Sequence, residues 1–208
     1  METDVRPVDF PISADDLRPG FGIPLVSTDT QFLLNIVLQQ EWEYQMRREM
    51  QEIIPGLFLG PYAAAMKTKQ EDLIKHGITH ILCVRQNCES NVIKTNFPGV
   101  FEYKIVEIAD SPTEKIIPVF DEAREFIGNC LRKGGKVLVH GNAGISRSAA
   151  LVIAYVMEHC NFSSQDALRC VQKKRFCIYP NEGFRRQLLE YEPILKARLA
   201  QRLTGVYN

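Results

Sequence analysis

The chain has 208 residues, of which 45% are hydrophobic and 24% charged, which suits one domain with a sizeable core plus an extension. Lys plus Arg and Asp plus Glu number 25 each, so formal net charge is zero and the basic excess of a nucleic-acid binder is absent. Apolar runs fall well short of the roughly 20 residues of a membrane helix, and the first residues lack the basic-then-apolar order of a secretory signal; a soluble protein of cytoplasm and nucleus is expected.

Residues 1 to about 40 carry Pro7, Pro11, Pro19 and Pro24, which interrupt any period. This stretch reads as a mostly disordered extension, within which Phe32, Leu33, Ile36 and Val37 could form a short amphipathic helix. A domain is expected over 41–203, with a tail at 204–208. Leu57-Phe58-Leu59-Gly60 is a short apolar run closed by glycine and Pro61, and reads as a strand. Ala63 to His76 reads as a helix. Ile78 to Val84 is β-branched and apolar, the signature of a strand buried on both faces. Phe101 to Ile108 alternates and reads as another strand. Ile116 to Arg132 has a helical period, which puts Pro118 in the first turn. Lys136 to His140 is a central strand, and Ser146 to His159 a strongly apolar helix. Ser163-Ser164-Gln165-Asp166 opens the next helix with capping chemistry, and Asn181 caps a last helix running towards Leu203 with Pro193 inside it. Strands alternating with helices predict an α/β domain with a mostly parallel twisted sheet flanked by helices.

Several side-chain groups carry bland readings. Lys173-Lys174-Arg175 reads as a solvated helix end. His76 and His80 are four apart, but Gly77 lies between them and a strand follows, so they are expected to straddle a helix–strand junction rather than hold a metal. The six cysteines, Cys83, Cys88, Cys130, Cys160, Cys170 and Cys177, form no C-x-x-C pair and are expected to be reduced thiols.

In open α/β sheets, sites lie at the carboxyl ends of strands. That rule points to His140-Gly141-Asn142-Ala143-Gly144-Ile145-Ser146-Arg147-Ser148, which runs strand, tight loop, helix start. Small residues let successive N–H groups turn inward, the helix dipole adds partial positive charge, and Arg147 supplies a planar cationic fork. Together these make a cradle for a dianion. A Walker-type nucleotide loop is excluded, because no Lys-Ser/Thr pair follows the second glycine.

The segment also resembles the H-C-x-A-G-x-S-R-S signature of the dual-specificity group of protein tyrosine phosphatases. His140, Ala143, Gly144, Ser146, Arg147 and Ser148 fit, whereas Gly141 stands where the family has its nucleophilic cysteine. Further matches are Leu57–Gly60, Gly77–Leu82, Asp110 at the place of the general acid, and Arg175 with Pro180-Asn181-Glu182-Gly183-Phe184 and Gln187-Leu188; the similarity spans roughly 47–200.

The resemblance implies a single phosphatase-like domain that lacks the thiolate on which the family's chemistry runs. Asp110 and Ser148 would then be a vestigial general acid and a vestigial leaving-group helper, and Asp110 on its own residues also reads as part of the Ser111–Glu114 turn. Gly141, Asn142, Ala143, Gly144, Ile145, Ser146 and Arg147 would bind phosphate. The expected protein is a pseudophosphatase that binds phosphorylated Ser, Thr or Tyr proteins without cofactor or metal, with no nucleic-acid or membrane partner. Resemblance also implies mitogen-activated protein kinases and an F-box ubiquitin-ligase subunit as partners. Two readings stay open beside it: a weakly active phosphatase, for which Cys83 and Cys88 are the nearest substitute thiols, and a scaffold indifferent to phosphate.

Overall fold

A computed structural model of the chain describes residues 42–203. The expected extension over 1–40, its helix at Phe32–Val37 and the tail at 204–208 lie outside the described residues. The elements in order are β1 (Gln51–Ile54), β2 (Leu57–Gly60), α1 (Gln70–Lys75), β3 (His80–Arg85), β4 (Glu102–Glu107), α2 (Ile117–Arg132), β5 (Val137–His140), α3 (Arg147–Cys160), α4 (Ser164–Lys174) and α5 (Glu182–Leu203), with a 3-10 turn over Tyr44–Arg48 before them. None of the described helices is long and apolar enough to cross a membrane.

The strands form one sheet in the order β1-β2-β5-β3-β4. All neighbours are parallel except the β1–β2 hairpin at the edge. β5 is central, and alternation along it divides the core. Val137 and Val139 join the larger cluster, beneath α2 to α5, while Leu138 faces the smaller one with Phe58, Leu73, Ile81, Phe97 and Phe101. Helix α3 is buried without interruption from Arg147 to Met157, as expected of a helix apolar on every side. Ser163 caps α4 by accepting from the Asp166 amide at 3.1 Å, and Asn181 caps α5 by accepting from the Phe184 amide at 3.0 Å.

Three readings need correction. The single helix over Ala63–His76 is instead two short 3-10 turns, Tyr62–Ala65 and Lys67–Lys69, followed by α1. The Asn96 side chain donates to the Ala65 carbonyl at 2.8 Å, taking an acceptor that a continuous α-helix would need. The second concerns Arg175, which is fully buried rather than solvated, although Lys173 beside it is exposed. The third is β1, an edge strand of four residues absent from the sequence reading. As expected, His76 ends α1 and His80 opens β3, where it meets Glu102 at 3.0 Å.

The start of α5 presses directly on the segment after β4. A Cβ placed on Gly183 would lie 1.8 Å from the Pro112 carbonyl oxygen. Gly183→Ala must therefore push the helix off the Asp110–Glu114 turn. We expect a loss of about 2 kcal/mol, the usual scale of overpacking, read from the urea-unfolding midpoint at constant m.

Candidate functional site

The parallel neighbours β2, β5 and β3 all end on one side of the sheet, and the segment leaving β5 lies across their carboxyl ends. There, Gly141 to Ser148 and Asp110 line a cup of about 260 Å³. Every residue assigned to phosphate binding from sequence is in that lining, as are Asp110 and Ser148.

The loop's backbone is polarised. Its carbonyls are all taken: Asn142 accepts from the Tyr62 amide at 3.0 Å, Ile145 from the Tyr179 amide at 2.8 Å and Ser146 from the Ala150 amide at 2.9 Å. Ala143 and Gly144 accept from the Arg175 guanidinium at 3.0 and 2.9 Å. Among the described residues, no protein group accepts from the amides of Asn142 to Ser146. Those donors, together with the first turn of α3, form the concave anion site that such amide arrays create. Gly144 makes the turn at φ +67°, with Gly60 so near that a Cβ would lie 2.4 Å from its carbonyl oxygen.

Arg147 is buried, and one edge of its guanidinium is occupied. Glu89 grips both terminal nitrogens, accepting from Nη2 at 2.9 Å and from Nη1 at a shorter distance, while Ile108 O takes a further Nη1 proton at 3.3 Å. The Nε edge is left toward the cup, with Asp110 Oδ2 3.9 Å away. A phosphate would thus meet Arg147 side-on, not through the end-on fork. Sequence reasoning missed Glu89. The only signal was its spacing three residues after Gln86, whose amide it also binds at 2.7 Å. The hydrogen bonds from Arg147 hold the Glu89 carboxyl below the ordinary value of 4.5.

Asp110 Oδ1 accepts from Ser146 Oγ at 2.7 Å and from Asn181 Nδ2 at 2.9 Å. It therefore ties the loop to the cap of α5, whatever its chemistry. The Ser148 hydroxyl is buried without a partner among the described residues and would lie 3.4 Å from a Cβ at position 141. Gly141 leaves an unfilled place there: the nearest contacts of an added Cβ are that oxygen and Val84 O at 3.5 Å. Neither candidate thiol lines the cup. Cys83 is fully buried on β3, and burial pushes its thiol up to about 11. Cys88 is exposed, with its sulfur turned to Gln86.

His140 is fully buried, with Nδ1 3.2 Å from Gly141 O and Nε2 unpartnered among the described residues. Burial lowers its pKa from 6.5 to about 4, so the ring is neutral at physiological pH.

Two pH dependences follow. For His140, the unfolded chain takes up the proton first, so its contribution to stability is complete above pH 6.5 and is lost as pH falls from 6.5 to about 4. His140→Phe should flatten the stability profile across that interval, measured by urea unfolding at several pH values. For Glu89, stabilisation is present above the ordinary 4.5 and is lost as pH falls through the lower folded value. Glu89→Gln should cost about 2 kcal/mol at pH 7, the scale of a hydrogen bond to a charged group, and the gap to the unaltered chain should close in acid.

Comparison with known proteins agrees with this geometry. The family model described as the dual specificity phosphatase, catalytic domain, matches residues 57–194. The human serine/threonine/tyrosine-interacting protein is 61% identical over 160 residues, covering 77% of this chain and 72% of that protein. Human dual specificity protein phosphatase 22 is 40% identical over 147 residues, covering 71% of this chain and 76% of that protein. Among solved structures, the crystal structure of the human tyrosine phosphatase-like serine/threonine/tyrosine-interacting protein superposes with a TM-score of 0.70 at 62% identity, covering 71% of this chain and 97% of that one.

Proposed function

The chain belongs to the dual specificity phosphatase family, and from that membership and the chemistry of its loop we infer a pseudophosphatase that captures phosphorylated proteins without dephosphorylating them. One observation carries the reading. The amide cradle is assembled, with its carbonyls tied back and its amides unclaimed, around a residue that has no side chain.

Family chemistry needs a thiolate at position 141 to attack phosphorus, an acid to protonate the departing oxygen, and a hydroxyl to help sulfur leave. Gly141 cannot form the phosphoenzyme. Losing a nucleophile of this kind costs on the order of 10⁶ in rate. Binding depends on other groups, namely the loop amides, the start of α3 and the Nε edge of Arg147. It also escapes the repulsion between a buried thiolate and a phosphate dianion. Such a protein would act as competitor, anchor or scaffold in kinase signalling. By resemblance we assign it phosphorylated mitogen-activated protein kinases and an F-box subunit of a ubiquitin ligase as partners, in cytoplasm and nucleus.

The test is Gly141→Cys. The added Cβ meets only ordinary van der Waals contacts, and Asp110, Arg147 and Ser148 already line the cup. The variant should turn over a small aryl phosphate on which the unaltered chain is inert, and Arg147→Ala in the unaltered chain should abolish phosphopeptide binding. A folded Gly141→Cys variant without turnover would show that the cradle is not aligned for phosphate. Turnover in the unaltered chain that needs Cys83 or Cys88 would instead make it a weak phosphatase, and a partner retained by Arg147→Ala would make it a scaffold indifferent to phosphate.

A further inference from the structure

Two serine side chains line the cup, and they differ in what they hold. Ser146 Oγ is engaged twice, donating to Asp110 Oδ1 at 2.7 Å and accepting from the Asn181 amide at 3.2 Å. Ser148 is 1% exposed, and its hydroxyl has no hydrogen-bond partner among the described residues. We propose that Ser148 is a ligand residue of the cup: its hydroxyl donates to the bound phosphate, and the glycine at position 141 is what gives the phosphate access to it. The proposal rests on the phosphate-binding reading of the loop and deepens it, by assigning to phosphate a residue whose family role ends with the sulfur.

The local backbone leaves this hydroxyl no ready substitute. A serine in a helix ordinarily turns its hydroxyl back to a carbonyl three or four residues earlier. For Ser148, in the first turn of α3, these belong to Ile145 and Gly144. Ile145 O already accepts from the Tyr179 amide at 2.8 Å, and Gly144 O from Arg175 Nε at 2.9 Å. A buried polar group without a partner is unfavourable, so the hydroxyl gains a bond when an acceptor enters the cup.

Position 141 decides whether an acceptor can reach it. A Cβ placed on Gly141 would lie 3.4 Å from Ser148 Oγ and 3.8 Å from Ser148 Cβ, so the oxygen is the nearer part of the side chain. The remaining close atom is Val84 O at 3.5 Å, which can only accept. Ser148 is therefore the one donor among the three atoms nearest to that place. In family chemistry a sulfur carried on this Cβ engages the hydroxyl, which helps it leave. Any side chain at 141 would put its first atom in van der Waals contact with the hydroxyl and cover it, whereas glycine leaves it open to the cup.

The chemistry of the ligand matches. A phosphate dianion offers only acceptors, and a hydroxyl proton rotates to suit the acceptor it meets. A hydrogen bond from a hydroxyl to a charged oxygen is shorter and stronger than one between neutral groups. Ser148 thus adds a side-chain donor to the loop amides and the Nε edge of Arg147. A carboxylate or thiolate in its place would repel the dianion.

The experiment uses the full chain and one fluorescein-labelled phosphotyrosine peptide with its unphosphorylated counterpart, followed by fluorescence anisotropy, together with urea unfolding of each variant in the absence of peptide. Ser148→Ala should weaken binding of the phosphorylated peptide about tenfold, the scale of one hydrogen bond to a charged group. Its peptide-free urea midpoint should be unchanged or higher, since no protein partner is lost. Gly141→Ala adds a methyl group at ordinary contact distance and should also weaken binding about tenfold, by covering the hydroxyl. The double variant should bind no more weakly than either single one, because both remove the same contact. Unchanged affinity in either folded single variant overturns the proposal, as does a double variant that loses the product of the two single effects. A lowered peptide-free midpoint in Ser148→Ala also overturns it, by giving the hydroxyl a structural role. Failure of the loop reading looks different: the unaltered chain would then bind the two peptides equally, or Arg147→Ala would bind the phosphorylated one as the unaltered chain does.

Discussion

A loop whose amides all face one concave surface must dispose of its carbonyls on the other side, and in this fold that task falls to Arg175. A peptide group carries donor and acceptor at opposite ends, so amides turned towards the cup send carbonyls into the protein. Left buried and unbonded, each would cost about 1–3 kcal/mol. The Arg175 guanidinium meets two of them and reaches past the loop to the backbone near Glu49. A lysine could not span these acceptors, because it lacks a rigid planar array of five donors. Tyr62 and Tyr179 supply backbone amides for the remaining carbonyls before α3 begins. None of these partners touches the place where a nucleophile would stand, so the cradle does not depend on chemistry being done within it.

Position 141 can be empty for the same reason. Gly141 departs from the family pattern by one side chain, and its surroundings have not closed over the gap. Ser148 keeps a buried hydroxyl without a partner among the described residues, next to that place. Asp110 has a second occupation, accepting from Ser146 and Asn181 and so joining the loop to the cap of α5. Those bonds do not depend on any catalytic task. Arg147 is likewise held twice, by Glu89 on one edge and by the fold around its stem, which presents the other edge to the cup whether or not a sulfur is below it.

The parts legible in the sequence are those set by local pattern. The run from Lys136 through the glycine-containing loop into an unbroken apolar helix announces strand, turn and buried helix in order, and the structure has β5, the cup and α3 there. Pro118 in the first turn of α2, Ser163 before α4 and Asn181 before α5 are likewise local devices. What escaped was set from a distance. Ala63 to His76 has helical composition, but Asn96 takes a carbonyl that the helix would have used. Gln51 to Ile54 is too short to declare itself and becomes a strand by pairing with β2. Arg175 follows two lysines and reads as surface, yet its acceptors lie more than 120 residues back in the chain as well as in the loop. Glu89 meets Arg147 across 58 positions, with no more than a short capping pattern to mark it.

The balance of charge around the loop separates a retained binding site from a decaying one. An enzyme of this family must keep a thiolate negative within the cradle, and that charge offsets part of the surrounding positive field. With glycine in its place, the loop amides and Arg147 face a cup with one negative charge fewer, while Glu89 neutralises only the far edge of Arg147. The place at position 141 stays unfilled and the loop amides stay unclaimed among the described residues, which is the arrangement the proposed binding role requires.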